Sequence, residues 1–489
     1  MARLPFMQPG HEPHHRPAPK DTQPAADAVA PHSTAERAPR HREEPPLVAR
    51  IVNDWWTRLL EAVYQGSLSS QEERYDAHRS GRDYLWNTLG TTSWGLTFPF
   101  LTVVATQLAG TEQAGMFSMA FVVGTLLMIA TYYGVRTFQV SDLDEAVSFA
   151  SYRVQRWIAA AIALVVGLLY GALRGYDAYM MTICAGVFVY KLIDGVADVY
   201  EGRLQQADKL YLAGISQTVR SVATVAAFAL VLFLTRSLAV AAVVMAIVAV
   251  ASLVLVTLPL ALLETEKSRP ARVDEVAGLF RQCFPLFCAL FLFNLIESVP
   301  KFVMEGALAY DNQLYFNALY FPAQGILLTV GSLYKPQLRR LASIWASPRR
   351  RRRFDLIIVA VMGVILAITV VMALVMHWIG LPLMSVLYGV DFGRFSLLAT
   401  LMVAAGGVTA AIDFLYAIIT VLRHQEGVMR LYLIATVASL ALSFALVNFI
   451  GLTGAVVSYL GTMVLLLALL VLEYARIRQA IARERNPFS

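Results

Sequence analysis

LAVAAVVMAIVAVASLVLVTLPLALL, residues 238–263, carries no charge over its whole length. A helix needs roughly 20 apolar residues to cross a bilayer. Hydrocarbon offers the backbone no water, so a spanning segment satisfies its own hydrogen bonds as a helix or closes into a barrel. This run lacks the alternating polarity of a barrel strand, and it therefore predicts a transmembrane helix. The composition of the chain agrees: of 489 residues, 57% are hydrophobic and 15% charged, against roughly a quarter charged in an average soluble domain. The expected class is an all-α integral membrane protein.

Eleven further runs resemble this one, at about 84–108, 114–133, 157–173, 178–200, 211–234, 282–304, 315–334, 356–380, 396–422, 431–450 and 453–473. Their connections test the count. With both termini on the inner side, the inner loops and the carboxy-terminal tail hold 23 Lys and Arg, and the outer loops hold only Arg174, Arg236 and Arg394. A miscounted helix would scramble that bias, so the inside-positive pattern supports twelve spans and places both termini in the cytoplasm. Residues 84–264 form one group of six spans and 282–474 a second, separated by an inner loop at 265–281. An even number per group makes the halves a parallel repeat with a cavity between them. The inner loop with Lys335, Arg339, Arg340 and the run Arg349 to Arg353 reads as an anchor on anionic headgroups.

Residues 1–46 hold ten of the twenty prolines and five of the eight histidines. Too poor in aliphatic residues to bury a core, they are expected to be a disordered cytoplasmic tail. In 47–83, the residues Val48, Ile51, Val52, Trp55, Trp56, Leu59 and Leu60 recur at helical spacing, with Arg50, Asp54, Arg58 and Glu61 between them. That pattern predicts an amphipathic helix at the headgroup level, followed by a linker. Residues 475–489 form a second cytoplasmic tail. The three cysteines, Cys184, Cys283 and Cys288, lie in apolar runs without metal-ligand spacing. No cofactor is expected, and the basic residues follow topology rather than any nucleic-acid-binding motif.

Charges inside the spans are few. Lys191, Arg220 and Lys301 are the basic residues within the predicted runs, and a charge there normally faces an aqueous cavity or a partner. Lys191, Asp194, Asp198 and Glu201 follow at steps of three, four and three, which puts them on one stripe of the fourth span. That stripe is expected to face a cavity. On the seventh span Glu297, Lys301 and Glu305 share a face, and Pro300 removes a backbone donor that can open the helix. Asp413 lies on the tenth span. The alternative is mutual neutralisation: Lys191 with Asp194 and Glu297 with Lys301 within helices, Arg220 and Asp413 between them. Gly325, Gly331, Gly406 and Gly407 suit close helix contacts. No phosphate-cradling loop and no HExxH motif occurs, and the outer loops are too short for a catalytic domain.

Gly134-Val-Arg-Thr-Phe-Gln-Val-Ser-Asp142, the Asp194 to Asp198 stretch with Tyr200-Glu-Gly-Arg-Leu-Gln205, and Arg220 resemble bacterial polysaccharide flippases of the Wzx type. So do Cys283-Phe-Pro-Leu, Val299-Pro-Lys301 and Phe316-Asn317 through Pro322, although Phe302 stands where the pattern has a tyrosine. The resemblance covers about residues 84–474. It implies the multidrug/oligosaccharidyl-lipid/polysaccharide exporter fold, with two six-helix bundles forming a V-shaped cavity in the bacterial plasma membrane. It also implies a substrate, an undecaprenyl-pyrophosphate-linked oligosaccharide, and polysaccharide assembly proteins as partners. On this reading Arg220, Lys301 and Lys191 bind the pyrophosphate, and Asp194, Asp198, Glu297 and Asp413 couple transport to protons or sodium. The competing functions are a drug/cation antiporter of the same superfamily, a membrane-embedded polysaccharide polymerase or ligase, and a non-transporting scaffold.

Overall fold

In the computed structural model, the described residues are 79–142, 144–346, 351–422 and 426–485. The predicted tail and amphipathic helix before residue 79 lie outside them, as do residues 486–489. Helices cover all twelve predicted runs: α1 (Arg79–Ala109), α2 (Thr111–Tyr132), the short α3 (Val135–Ser141), α4 (Phe149–Leu173), α5 (Ala178–Gln206), α6 (Leu210–Thr235) and α7 (Leu238–Leu263). The second half continues with α8 (Val273–Ala307), α9 (Asp311–Tyr334), the short α10 (Leu338–Ala346), α11 (Arg351–Val375, running on to Tyr388), α12 (Ser396–Val421) and α13 (Glu426–Arg485). Among the described residues, nine of these helices are long and apolar enough to cross a membrane. The polar α1 and α9 fall short of that measure.

Helix α13 contains two spans. Gly451, at φ 59° and ψ −134°, breaks it beside Ile450, in a backbone region that only glycine enters readily. Two other spans widen into a π turn without breaking: Leu253–Thr257 in α7 and Met376–Gly380 in α11. Each lies just ahead of a proline, Pro259 or Pro382, whose ring would clash with the carbonyl of the preceding turn. Pro300 has a different outcome from the one expected. Helix α8 runs unbroken through both Pro285 and Pro300.

The first six spans pack together, α1 on α6, α2 and α4 on α5, and α7 on both α5 and α6. The last six do likewise, α8 on α13, α9 and α11 on α12, and α12 on α13. Close approach depends on small residues at particular places: a Cβ on Gly406 would sit 2.7 Å from the Ala323 Cβ, and one on Gly407 2.2 Å from Thr369 Oγ1. Gly325 and Gly331 make no such approach, since only flexible side-chain ends lie near them.

Between the bundles, α2 meets α8 and α9, α4 meets α8, and α1 meets the end of α11. At the end away from the basic loops, the seam is held on both flanks. Gln107 Nε2 donates to the Leu387 carbonyl at 2.8 Å and the Thr102 and Tyr388 hydroxyls lie 3.1 Å apart on one flank. Arg174 meets Glu305 at 3.2 Å on the other. Between them a Cβ on Gly115 would stand 1.8 Å from the Tyr310 carbonyl oxygen. Toward the basic loops, the start of α4 and the end of α2 meet α8. There Tyr133 stacks on Phe287 at 4.5 Å, and Ser148 and Ser151 donate to Glu275 at 2.8 and 2.7 Å.

Candidate functional site

Helix α5 presents Lys191, Asp194, Asp198 and Glu201 on one stripe, as their spacing predicts, but the stripe faces packed protein rather than an open cavity. Arg220 of α6 donates from Nε to Asp194 at 2.7 Å and from Nη1 to Glu201 at 2.8 Å, with all three side chains 6% exposed or less. Trp94 donates to the second oxygen of Asp194 at 3.0 Å, and Ser216 to Glu201 at 3.2 Å. Asp198 holds Arg156 of α4 at 3.0 Å and also Arg136 of α3. Three carboxylates thus meet three guanidinium groups from three other elements. Burial of a charge is tolerated where an opposite charge and hydrogen bonds meet it, although the Arg156 Nε is left without a partner.

Arg156 is a correction to the count of in-span cations. It precedes the apolar run at 157, yet α4 begins at Phe149 and Arg156 is fully buried. The run of apolar residues marks where lipid is met, and the helix extends below it on a face turned toward α5. Arg220 is also placed differently from its expected position. Its donors belong to Asp194 and Glu201 inside the first bundle, and it is absent from the lining of the cavity that Lys301 faces.

That cavity, about 130 Å³, lies between the bundles. Phe98, Phe121 and Thr125 wall it from the first half, and Asn294, Glu297, Ser298, Lys301, Asn317 and Tyr320 from the second. The Lys301 ammonium stands 4.1 Å from the centroid of the Tyr320 ring. Lys191 is likewise absent from this lining; its ammonium lies 4.1 Å from the ring of Phe121, which does line it, and 5.3 Å from that of Trp94. Phe121 in turn stacks on Phe98 at 4.0 Å. Among the described residues, no carboxylate lies within ion-pair distance of either lysine; the aromatic faces partly replace one. Both lysines are nearly inaccessible, 4% and 5% exposed, so neither expected intrahelical pair forms a direct bridge.

Glu297 accepts from Tyr459 of α13 at 3.2 Å. Asn317, which lines the cavity, donates to the Gln313 carbonyl at 2.9 Å, and its own side-chain carbonyl is buried without a partner. Asp413 sits apart, near the basic loops. It accepts from Tyr334 at 2.6 Å and faces Lys335 at 3.5 Å. Composition could have flagged Asn294, Ser298 and Asn317 as polar residues of spans. Nothing in the sequence distinguishes Phe98, Phe121 or Tyr320 from ordinary core aromatics.

Glu305, one turn beyond Lys301, closes the far end of the seam. Its side chain is 1% exposed and accepts from Tyr170 at 2.8 Å, from Tyr176 and from Arg174. Burial, and then the hydrogen bond to Glu305, holds the Tyr176 phenol well above its ordinary range, so it remains a donor. The loop carboxylates Asp177 and Asp391 bond local backbone: Asp177 caps α5 through Met180 N at 2.9 Å, and Asp391 accepts from Gly393 N at 2.8 Å.

No family model and no curated protein matches the sequence. Solved structures do share the fold. The MATE multidrug transporter DinF-BH, solved as a ligand complex, superposes with a TM-score of 0.56 at 12% identity, over 80% of this chain and 94% of that one. The Vibrio cholerae MATE transporter VcmN in the bent form gives 0.53 at 15% identity, over 83% and 98%. A transporter of the MOP superfamily from Pyrococcus furiosus, whose binding pocket is described as of reverse polarity, gives 0.51 at 12% identity, over 81% and 93%. The chain has the fold of MATE transporters of the MOP superfamily, twelve transmembrane helices in two bundles.

Proposed function

We propose that this protein is an alternating-access transporter that moves an undecaprenyl-pyrophosphate-linked oligosaccharide from the inner to the outer leaflet. The observation that carries this reading is the pair Lys191 and Lys301, the first buried against the Phe121 ring and the second in the cavity wall to which Phe121 also contributes, with no carboxylate at ion-pair distance among the described residues. Carrying a pyrophosphate through hydrocarbon without a countercharge costs at least several kcal/mol. Two desolvated ammonium groups lower that cost, and Asn294, Ser298, Asn317 and Tyr320 offer hydrogen bonds to sugar hydroxyls. The cavity of about 130 Å³ is smaller than the roughly 300–1,000 Å³ of sites that take drug-sized ligands. Substrate therefore enters only when the bundles rock apart.

Arg220 reaches phosphate only in a state that releases Asp194 or Glu201. Asp194 and Asp198 serve coupling only by exchanging an arginine for a proton or sodium ion. Glu297, beside Lys301, and Asp413 are the coupling carboxylates with fewer such ties. A drug/cation antiporter is the second reading, favoured by Glu297 in the cavity wall and by the names of the fold relatives. The Pyrococcus structure, whose reverse-polarity pocket is described as suggesting a different function, is a fold relative for which drug transport is not the reading.

The test is Lys301→Gln and Lys191→Gln in cells that depend on the transporter. We expect normal protein abundance with lipid-linked sugar accumulating in the inner leaflet. Full export by the double variant overturns the assignment, and drug efflux unaffected by Lys301→Gln points to the antiporter. The orientation, both termini cytoplasmic, is checked by impermeant labelling of cysteines placed beside Arg394 and Lys267, of which only the first should react in intact cells.

A further inference from the structure

Outside the seam, a recess with a charged rim lies on the second bundle, between α9, α10 and α11, with a volume of about 730 Å³. That is within the range of roughly 300–1,000 Å³ typical of small-molecule sites. One wall is a single stripe of α11: Arg353, Ile357, Val361, then Val364 and Ile365. These residues recur at steps of three and four, so they share a face. The stripe starts with a charge at the basic end and continues as aliphatic side chains only. Opposite it, α9 and its continuation repeat the order, with Gln337 at the rim and Val330 and Leu333 deeper.

The dimensions fit a membrane amphiphile. From Arg353 to Ile365 the helix rises about 18 Å at 1.5 Å per residue, close to the roughly 15 Å of one hydrocarbon leaflet. The charge is complementary to an anion. Residues 335–354 hold eight Lys and Arg and no Asp or Glu. The next carboxylate, Asp355, is committed elsewhere, to Arg478 at 2.5 Å and Tyr474 at 2.6 Å. Among the described residues, no carboxylate lies within ion-pair distance of Arg353. Helix α10, with Leu338, Leu341 and Ile344 against Arg339 and Arg340 in its sequence, has the pattern of a helix lying in the headgroup plane.

We propose that this groove binds one anionic diacyl phospholipid of the inner leaflet, its phosphate at Arg353 and Gln337 and one acyl chain along the Ile357, Val361, Val364 and Ile365 wall. The site is separate from the Lys301 cavity and does not depend on what that cavity carries. The leaflet follows from the Lys and Arg distribution, which puts this end of the bundle on the cytoplasmic side.

The experiment is native mass spectrometry of the full chain in the presence of equal phosphatidylglycerol and phosphatidylcholine. We expect one phosphatidylglycerol retained, preferred about tenfold. Val364→Trp fills the groove while keeping every arginine, and Val364 is 48% exposed, so the larger ring is accommodated at the lipid boundary. This variant and Arg353→Glu should each lose the bound lipid, whereas Val165→Trp, at a 65% exposed position of α4, should retain it. Thermal melting in parallel shows whether each variant is folded. Equal retention of the two lipids, or retention by folded Val364→Trp, overturns the proposal.

Discussion

Replacing Arg220 by Gln removes the cation that holds Asp194 and Glu201. The guanidinium makes bonds of 2.7 and 2.8 Å to carboxylates that are 2% and 6% exposed, so no water compensates for its loss. Breaking a buried pair from one side typically costs about 3–5 kcal/mol, and here one cation serves two anions. A folded protein has only about 5–15 kcal/mol in hand. Arg220→Gln should therefore lower the abundance of folded protein, or its melting temperature in detergent, before any question of transport arises. The diagnostic variant is Arg220→Met with Asp194→Asn and Glu201→Gln, which removes all three charges and should restore folding, because the penalty comes from unpaired carboxylates rather than from loss of attraction. Size-exclusion profiles and melting curves read both variants. Arg220→Gln with wild-type abundance and melting would refute the reasoning. Transport by the folded triple variant then separates structure from transport: export shows that Arg220 positions the first bundle, and loss of export shows that a charge of this trio, Arg220 on substrate or Asp194 in coupling, takes part in the transport cycle.

Glu305→Gln should weaken closure at the far end of the seam by roughly 1–2 kcal/mol, since a hydrogen bond to a charged group is worth about 1.5–3 kcal/mol and Gln keeps part of it. A cysteine at Thr125 should then react several-fold faster with an impermeant reagent from outside; an unchanged rate contradicts a gating role for Glu305. Gly115→Leu should act more strongly, because a Cβ there meets the Tyr310 carbonyl at 1.8 Å, and the same labelling should show a seam unable to close. Glu275 gives a pH prediction. Hydrogen bonds from Ser151 and Ser148 hold its carboxyl below the usual range, so its stabilising contact is complete above the unfolded value of about 4.3 and lost as pH falls through the lower folded value. Accessibility of a cysteine at Phe280 should rise only in that acidic window, and Glu275→Gln should abolish the pH dependence.

The solvent and the helices were legible from the order of residues alone. Residues 238–263 and eleven similar runs admit no other structure in lipid, because backbone groups there must be satisfied within the segment, and helices cover all of them. Which residues share a face was equally legible: Lys191, Asp194, Asp198 and Glu201 lie on one stripe of α5 because helical spacing is a local property. What that stripe faces depended on how the helices pack. Arg136 and Arg156 lie 62 and 42 residues from Asp198 along the chain, and no local pattern announces that three arginines converge there. Arg156 was hidden for a second reason, since an apolar run records contact with lipid and says nothing of a helix extending beyond it. The same limit reversed the ranking of the cations. Arg220, Lys191 and Lys301 are alike as isolated charges in apolar sequence, but packing gave Arg220 two carboxylates, gave both lysines aromatic rings and gave Lys301 a cavity, because partnership depends on which helix lies opposite.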